Sequence, residues 1–198
     1  ADQGAVKEDV TLTTNGKLVA TDVDNGEAVF QPQTQVKGDH GTFTIDKDGN
    51  WTYTLDNDDP QVQALKEGES LPNETFVVKS ADGTAQHTVT VTITGTNDIA
   101  TIGVATPGAD QGAVKEDVTL TTNGKLIATD VDHGEAVFQP QTQVKGNHGT
   151  FTIDKDGNWT YQLDNDDPQV QALKEGESLP NETFVVKSAD GSAQHTVT

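Results

Sequence analysis

The chain repeats itself. From Ala1 to Thr90 and from Ala109 to Thr198 the residues match one for one except at Val19/Ile127, Asn25/His133, Asp39/Asn147, Thr54/Gln162 and Thr84/Ser192. A period of 108 residues is too long for a solenoid unit, which cannot close a core without its neighbours, and it suits beads on a string. About 100 residues is the size at which one β-sandwich buries its own core. The sequence therefore predicts two modules, residues 1–98 and 99–198, each with an independent interior.

Inside each module the apolar residues alternate. Thr42-Phe43-Thr44-Ile45, Trp51-Thr52-Tyr53-Thr54-Leu55 and Thr88 to Thr94 place threonine on one face and apolar side chains on the other. Period two of this kind marks half-buried antiparallel strands. Further strands are expected at Val10–Thr13, Lys17–Thr21, Ala28–Gln31 and Thr75–Lys79, which makes about seven, the number of a sandwich. Asp46-Lys47-Asp48-Gly49-Asn50 reads as a hairpin turn. Asp59-Pro60, followed by Val62, Ala64, Leu65 and Gly68, carries an N-cap acid, a proline at the first helical position and a stop signal, so one short helical turn is expected there. The fold class is all-β: two tandem Ig-like antiparallel sandwiches, each with one helical turn. Gly95 to Ala100 is the junction, and Gly103–Gly108 is read as leading into the first strand of module 2. By this reckoning module 1 lacks its first strand, and module 2 stops short of the counterpart of Val91–Asp98, as in a piece cut from a longer array.

Charge narrows the range of partners. The chain holds 32 acidic residues against 12 basic ones, all lysine, for a formal net charge of −20. Such an excess repels nucleic acid and anionic membrane, and the absence of arginine removes the usual fork for phosphate. Cysteine and methionine are absent, so disulfides contribute nothing and the surface resists oxidation. No apolar run approaches the roughly 18 residues of a membrane span, and direct membrane insertion is not expected. Cations are the natural partners.

The acids cluster at strand ends: Glu8-Asp9, Asp22-Val23-Asp24, Asp56-Asn57-Asp58-Asp59 and Asn97-Asp98, repeated as Glu116-Asp117, Asp130 with Asp132, and Asp164 to Asp167. Calcium takes six to eight oxygen ligands, and carboxylates two residues apart on a loop can turn inward together. The candidate ligands are therefore Glu8, Asp22, Asp24, Asp56, Asp58, Asn97, Asp98, Glu116, Asp130, Asp132, Asp164 and Asp166. Asp59 is excluded as a helix cap. Glu27 and Asp82 read equally as ligands or as turn residues.

Gly16-Lys17-Leu18, Ala20-Thr21-Asp22-Val23-Asp24, Gly26-Glu27, Gly41-Thr42-Phe43, Asp48-Gly49-Asn50-Trp51-Thr52-Tyr53, Gly68-Glu69-Ser70, Ala81-Asp82-Gly83 and Thr94-Gly95-Thr96-Asn97-Asp98 together resemble the VCBS repeat. The resemblance covers nearly the whole of each module. It implies a tandem extender module of very large RTX-type bacterial surface adhesins, extracellular and associated with adhesion and biofilm. Within it, Asp22-Val23-Asp24, Leu55-Asp56-Asn57-Asp58 and Thr96-Asn97-Asp98 resemble the calcium-binding loops of cadherin modules. That likeness implies that Glu8, Asp56, Asp58, Asn97 and Asp98 of one module meet Asp130 and Asp132 of the next around calcium. The partners implied are neighbouring repeats, with any surface glycan or abiotic surface bound through other domains.

The rival reading is a module that itself binds carbohydrate or a receptor through avidity of repeats. An enzyme is not expected. No Gly-x-Ser-x-Gly, His-Glu-x-x-His or phosphate-binding loop is present. His40, His87, His148 and His195 read as surface or loop residues, His133 has no expected metal role, and Trp51, Tyr53 and Phe43 read as core.

Overall fold

The computed structural model describes residues 1–24 and 26–198, and the chain divides into two compact units, Ala1–Asn97 and Asp98–Thr198. In module 1, β1 (Gln3–Lys7), β6 (Glu74–Lys79) and β7 (Gln86–Thr94) form one sheet in the order β1-β7-β6. Its second sheet runs β2-β5-β4-β3, from β2 (Thr13–Lys17), β3 (Gln33–Lys37), β4 (Gly41–Ile45) and β5 (Asn50–Leu55). All pairings are antiparallel except β1 with β7, which run parallel from Gln3↔Thr90 to Lys7↔Thr94.

Alternation decides which face is buried. Along β5 Trp51, Tyr53 and Leu55 point inward while Asn50, Thr52 and Thr54 stay exposed, and along β7 Val89, Val91 and Ile93 are fully buried. The two sheets meet through aromatic rings. Phe43 of β4 stacks on Phe76 of β6 with centroids 4.6 Å apart, and Tyr53 lies 5.8 Å from Phe76. Such pairs add about 0.5–1.5 kcal/mol beyond the area they bury. Trp51 is sealed at the rim, where its Nε1 donates to the Ala1 carbonyl at 2.9 Å.

The hairpin between β4 and β5 forms as expected. Asp46 Oδ1 accepts from the backbone N–H groups of Asp48 and Asn50, both at 2.9 Å, and Gly49 adopts φ +81°. A Cβ at Gly49 would lie 2.3 Å from the Leu18 carbonyl oxygen, so both the conformation and the space require glycine. The helical turn α1 (Pro60–Gln63) is capped by Asp59, whose side chain accepts from Gln61 N at 2.8 Å.

Module 2 adds β8 (Thr101–Val104), β9 (Thr121–Thr129), β10 (Gln141–Lys145), β11 (Gly149–Ile153), β12 (Asn158–Leu163), α2 (Pro168–Gln171), β13 (Phe184–Lys187) and β14 (Gln194–Val197). One sheet runs β10-β11-β12-β9-β8, and β13 pairs with β14. Its core repeats that of module 1, with Phe151 stacked on Phe184 at 4.7 Å and Trp159 Nε1 donating to the Ala109 carbonyl. Among the described residues, no helix is long and apolar enough to cross a membrane.

Several strand expectations need correction. Of Val10–Thr13 only Thr13 belongs to a strand, as the first residue of β2; Val10 lies in a turn, because Lys7 O receives N–H groups from Val10 and Thr11. Lys17–Thr21 is not a strand beyond Lys17, yet its counterpart extends β9 to Thr129, because β8 pairs with it from Thr101↔Thr129 to Val104↔Leu126. Among the described residues of module 1 no strand pairs with Leu18–Thr21, and a strand without a neighbour has no ladder to hold it. Ala28–Gln31 is reduced to a single bridge, Phe30↔Ser80. The strand expected within Gly103–Gly108 is β8, ending at Val104, and Pro107 and Gly108 lie in a turn. β1 and β3 were not anticipated. His40 is no surface residue: it is buried, with Nδ1 2.9 Å from Asp59 Oδ2, and His148 repeats the pair with Asp167 at 3.0 Å.

Candidate metal centre

The Asp-x-Asp loop is shaped by its own first acid. Asp24 N donates to Asp22 Oδ1 at 2.9 Å and Asp132 N to Asp130 Oδ1 at 3.0 Å, so one oxygen of each carboxylate closes a local turn and the other is turned elsewhere. Residues 26–29 are irregular and lead to Phe30. Gln31 N to the Lys79 carbonyl (3.0 Å) and Ala81 N to the Val29 carbonyl (2.9 Å) clamp it beside the turn after β6. That turn carries Asp82. Ser80 Oγ donates to Asp82 Oδ1 at 2.6 Å and Thr84 N at 3.2 Å, and these hydrogen bonds hold its carboxyl below the usual carboxylate range.

These two loops bring Asp22, Glu27 and Asp82 together, with one carboxylate oxygen of each within 4.8 Å of the others. Module 2 repeats the cluster with Asp130, Glu135 and Asp190, held by the same clamps, Gln139 N to Lys187 O and Ala189 N to Val137 O. Asp130 Oδ2 is buried and has no hydrogen-bond partner. Carboxylates this close repel one another unless a cation sits among them. Hard oxygen donors in an irregular loop pair suit calcium, so the residues present fit the ion that the sequence implied.

Asp24 is exposed, whereas Asp132 is 3% exposed and accepts the Asp98 N–H at 2.8 Å through Oδ2. Glu8 is fully buried, with Thr96 N donating to its Oε2 at 3.1 Å and Thr96 Oγ1 to its carbonyl at 2.8 Å. Its neighbour Asp9, at φ +54°, exchanges hydrogen bonds with Asn57: Asp9 N to Asn57 Oδ1 at 3.0 Å and Asn57 Nδ2 to Asp9 Oδ1 at 2.6 Å. This ties the Glu8 loop to the loop of Asp56 and Asp58, both of which are exposed, with Asp58 N donating to Asp56 Oδ1. Asp117 and Asn165 tie Glu116 to Asp164 and Asp166 in the same way, and Glu116 Oε2 is buried without a hydrogen-bond partner. Asn97 is exposed at the end of unit 1.

Glu27 and Asp82 were left undecided by the sequence, and the structure places them with Asp22, as it places their counterparts Glu135 and Asp190 with Asp130. The signal available was the Ala81-Asp82-Gly83 turn, but no spacing rule links residue 82 to residue 22.

Comparison with known proteins places these modules. A family described as bacterial cadherin-like domain matches residues 1–95 and 103–198. The calcium-binding lectin RapA2 of Rhizobium johnstonii is 28% identical over 176 residues, which is 82% of this chain and 70% of that protein. Among solved structures, a protocadherin gammaB7 structure aligns over 100% of this chain and 45% of its own, at 16% identity and TM-score 0.49. Drosophila N-cadherin aligns over 98% of this chain and 45% of its own, at 19% identity and TM-score 0.46. The chain thus spans less than half of each of those two structures.

Proposed function

We propose, for a chain that belongs to the bacterial cadherin-like domain family, that it serves as a calcium-dependent extracellular spacer of a bacterial surface adhesin. The observation that carries this reading is the carboxylate cluster found in both modules, Asp22/Glu27/Asp82 and Asp130/Glu135/Asp190. Bound calcium would supply positive charge and coordination at these loops. The chain's own part is to aim the oxygens: the Asp-x-Asp turn orients Asp22 and Asp130, and Ser80 and Ser188 fix Asp82 and Asp190. Asp24, Glu8, Asp56, Asp58, Asn97, Asp98, Glu116, Asp132, Asp164 and Asp166 are proposed as further ligands, on their charge and their places in strand-end loops.

Without a cation, gathered carboxylates repel and the loops that carry them loosen; with calcium, modules in series stiffen and can hold a terminal binding domain far from a cell. The expected affinity is that of extracellular modules, on the order of 10⁻⁴ to 10⁻³ M. The finer assignment, to VCBS-type repeats of RTX adhesins acting in biofilm, is supported by the motifs of the sequence. We assign the chain no catalytic role. Small-angle scattering in calcium and in chelator tests the spacer. A longer maximum dimension in calcium is expected, and an unchanged one overturns the reading.

The similarity to a protein named as a calcium-binding lectin favours one second reading, in which the modules themselves bind a glycan. A glycan array probed in calcium and in chelator separates the two, since calcium-dependent sugar binding by this fragment supports the lectin reading.

A further inference from the structure

β6 is the free edge of its sheet: the order is β1-β7-β6, and no described strand pairs with its far side. Its residues, Glu74-Thr75-Phe76-Val77-Val78-Lys79, favour strand pairing, because four in a row are β-branched or aromatic and none is glycine or proline. Phe76 and Val78 are buried, and Val77 is 49% exposed on the outer face. Module 2 carries the same six residues at 182–187. An unpaired edge of this composition is a template for a second copy of itself. Every chain brings two.

The carbonyls of that edge are already taken. Gln31 N donates to Lys79 O at 3.0 Å, Gln31 Nε2 to Ala81 O at 3.2 Å and Gln33 Nε2 to Val77 O at 2.9 Å. The neighbouring chain cannot supply these donors from its backbone alone, since Pro32 has no N–H and from Gln33 onward the backbone belongs to β3 in the other sheet. Side-chain amides stand in for the N–H groups of an absent strand. Module 2 repeats all three bonds: Gln139 N to Lys187 O at 3.0 Å, Gln139 Nε2 to Ala189 O at 3.2 Å and Gln141 Nε2 to Val185 O at 2.8 Å. The edge strand β3 is blunted in another way. Gln35 sits at φ +50°, its N–H donates to Thr44 Oγ1 at 3.1 Å, and the register with β4 shifts between Gln33 and Val36. Such a bulge turns an edge away from an incoming strand.

We infer that the outer edge of β6 is a latent strand-pairing surface whose partner is β6 of another copy, and that Gln31 and Gln33, with Gln139 and Gln141, hold it shut. The pairing they prevent is antiparallel and centred on Val77. In that register Lys79 of one strand lies opposite Thr75 of the other, whereas a parallel register would set Lys79 beside Lys79, and like charges directly opposite are unfavourable. Removing a glutamine amide frees an acceptor for the N–H of the incoming strand.

The inference is independent of calcium, so the test is run in chelator at physiological salt. Gln33→Met with Gln141→Met keeps the length of both side chains and deletes their donors. Sedimentation equilibrium of the wild type and of this variant is expected to show self-association roughly tenfold or more tighter in the variant, since each β6 pair regains two carbonyls. Hydrogen exchange of the associated variant is expected to gain protection at the amides of Thr75, Val77 and Lys79 and at their counterparts Thr183, Val185 and Lys187. Adding Val77→Lys and Val185→Lys at these exposed positions sets like charges across the pair and is expected to return the variant to the wild-type state. Gln31→Met with Gln139→Met opens the same edge from its other end and is expected to protect the same amides. A variant no more associated than the wild type, association unmoved by the lysines, or protection gained at other strands would overturn the inference.

Discussion

Replacing Glu135 by glutamine removes one of three negative charges whose oxygens lie within 4.8 Å of one another, and Glu27→Gln does the same in module 1. At that separation each like-charged pair costs about 0.9 kcal/mol in water, and physiological salt reduces this to roughly half. Two pairs vanish in each module, so in chelator the double variant is expected to be more stable by about 1 kcal/mol per module, or ~4–8 °C in melting temperature. Calcium reverses the order. With a dissociation constant on the order of 10⁻⁴ to 10⁻³ M, about 10 mM calcium stabilises the wild type by roughly 1.4–2.7 kcal/mol, and the variant, short of a ligand in each cluster, gains little. Differential scanning calorimetry of both proteins, in chelator and in calcium, reads the crossover. If calcium raises both melting temperatures equally, or the wild type melts higher in chelator as well, these clusters do not hold the ion.

Phe43→Ala removes the ring stacked on Phe76 and is expected to cost about 3–5 kcal/mol, read from denaturant unfolding of module 1. The hydrogen bond from His40 holds the Asp59 carboxyl below its ordinary range, with the Gln61 N–H second, and His148 acts likewise on Asp167. A depressed folded value means that this stabilisation is complete above the unfolded pKa of about 3.9 and is lost as pH falls through the lower folded value. Asp59→Asn with Asp167→Asn should therefore flatten the acid limb of stability against pH, and an unchanged limb would show that the pair contributes nothing there.

The amino-acid sequence by itself determined the division into two modules, the inward set Phe43, Trp51, Tyr53, Val89, Val91 and Ile93, the hairpin at Asp46–Asn50 and the Asp59 cap. Each of these follows from local chemistry: side-chain period, turn residues or a capping oxygen one turn away. It also marked the acidic loops, because charge survives any fold. What tertiary structure alone decided were the pairings between distant segments. Gln3–Lys7 is a strand because β7 offers it a ladder, and Leu126–Thr129 extends β9 only where β8 lies alongside. Asp82 joins Asp22 across 60 residues of chain because two backbone hydrogen bonds clamp Val29 and Gln31 to the end of β6. Burial follows the same rule: it belongs to the neighbour that covers a side chain, and a local sequence does not carry its neighbour.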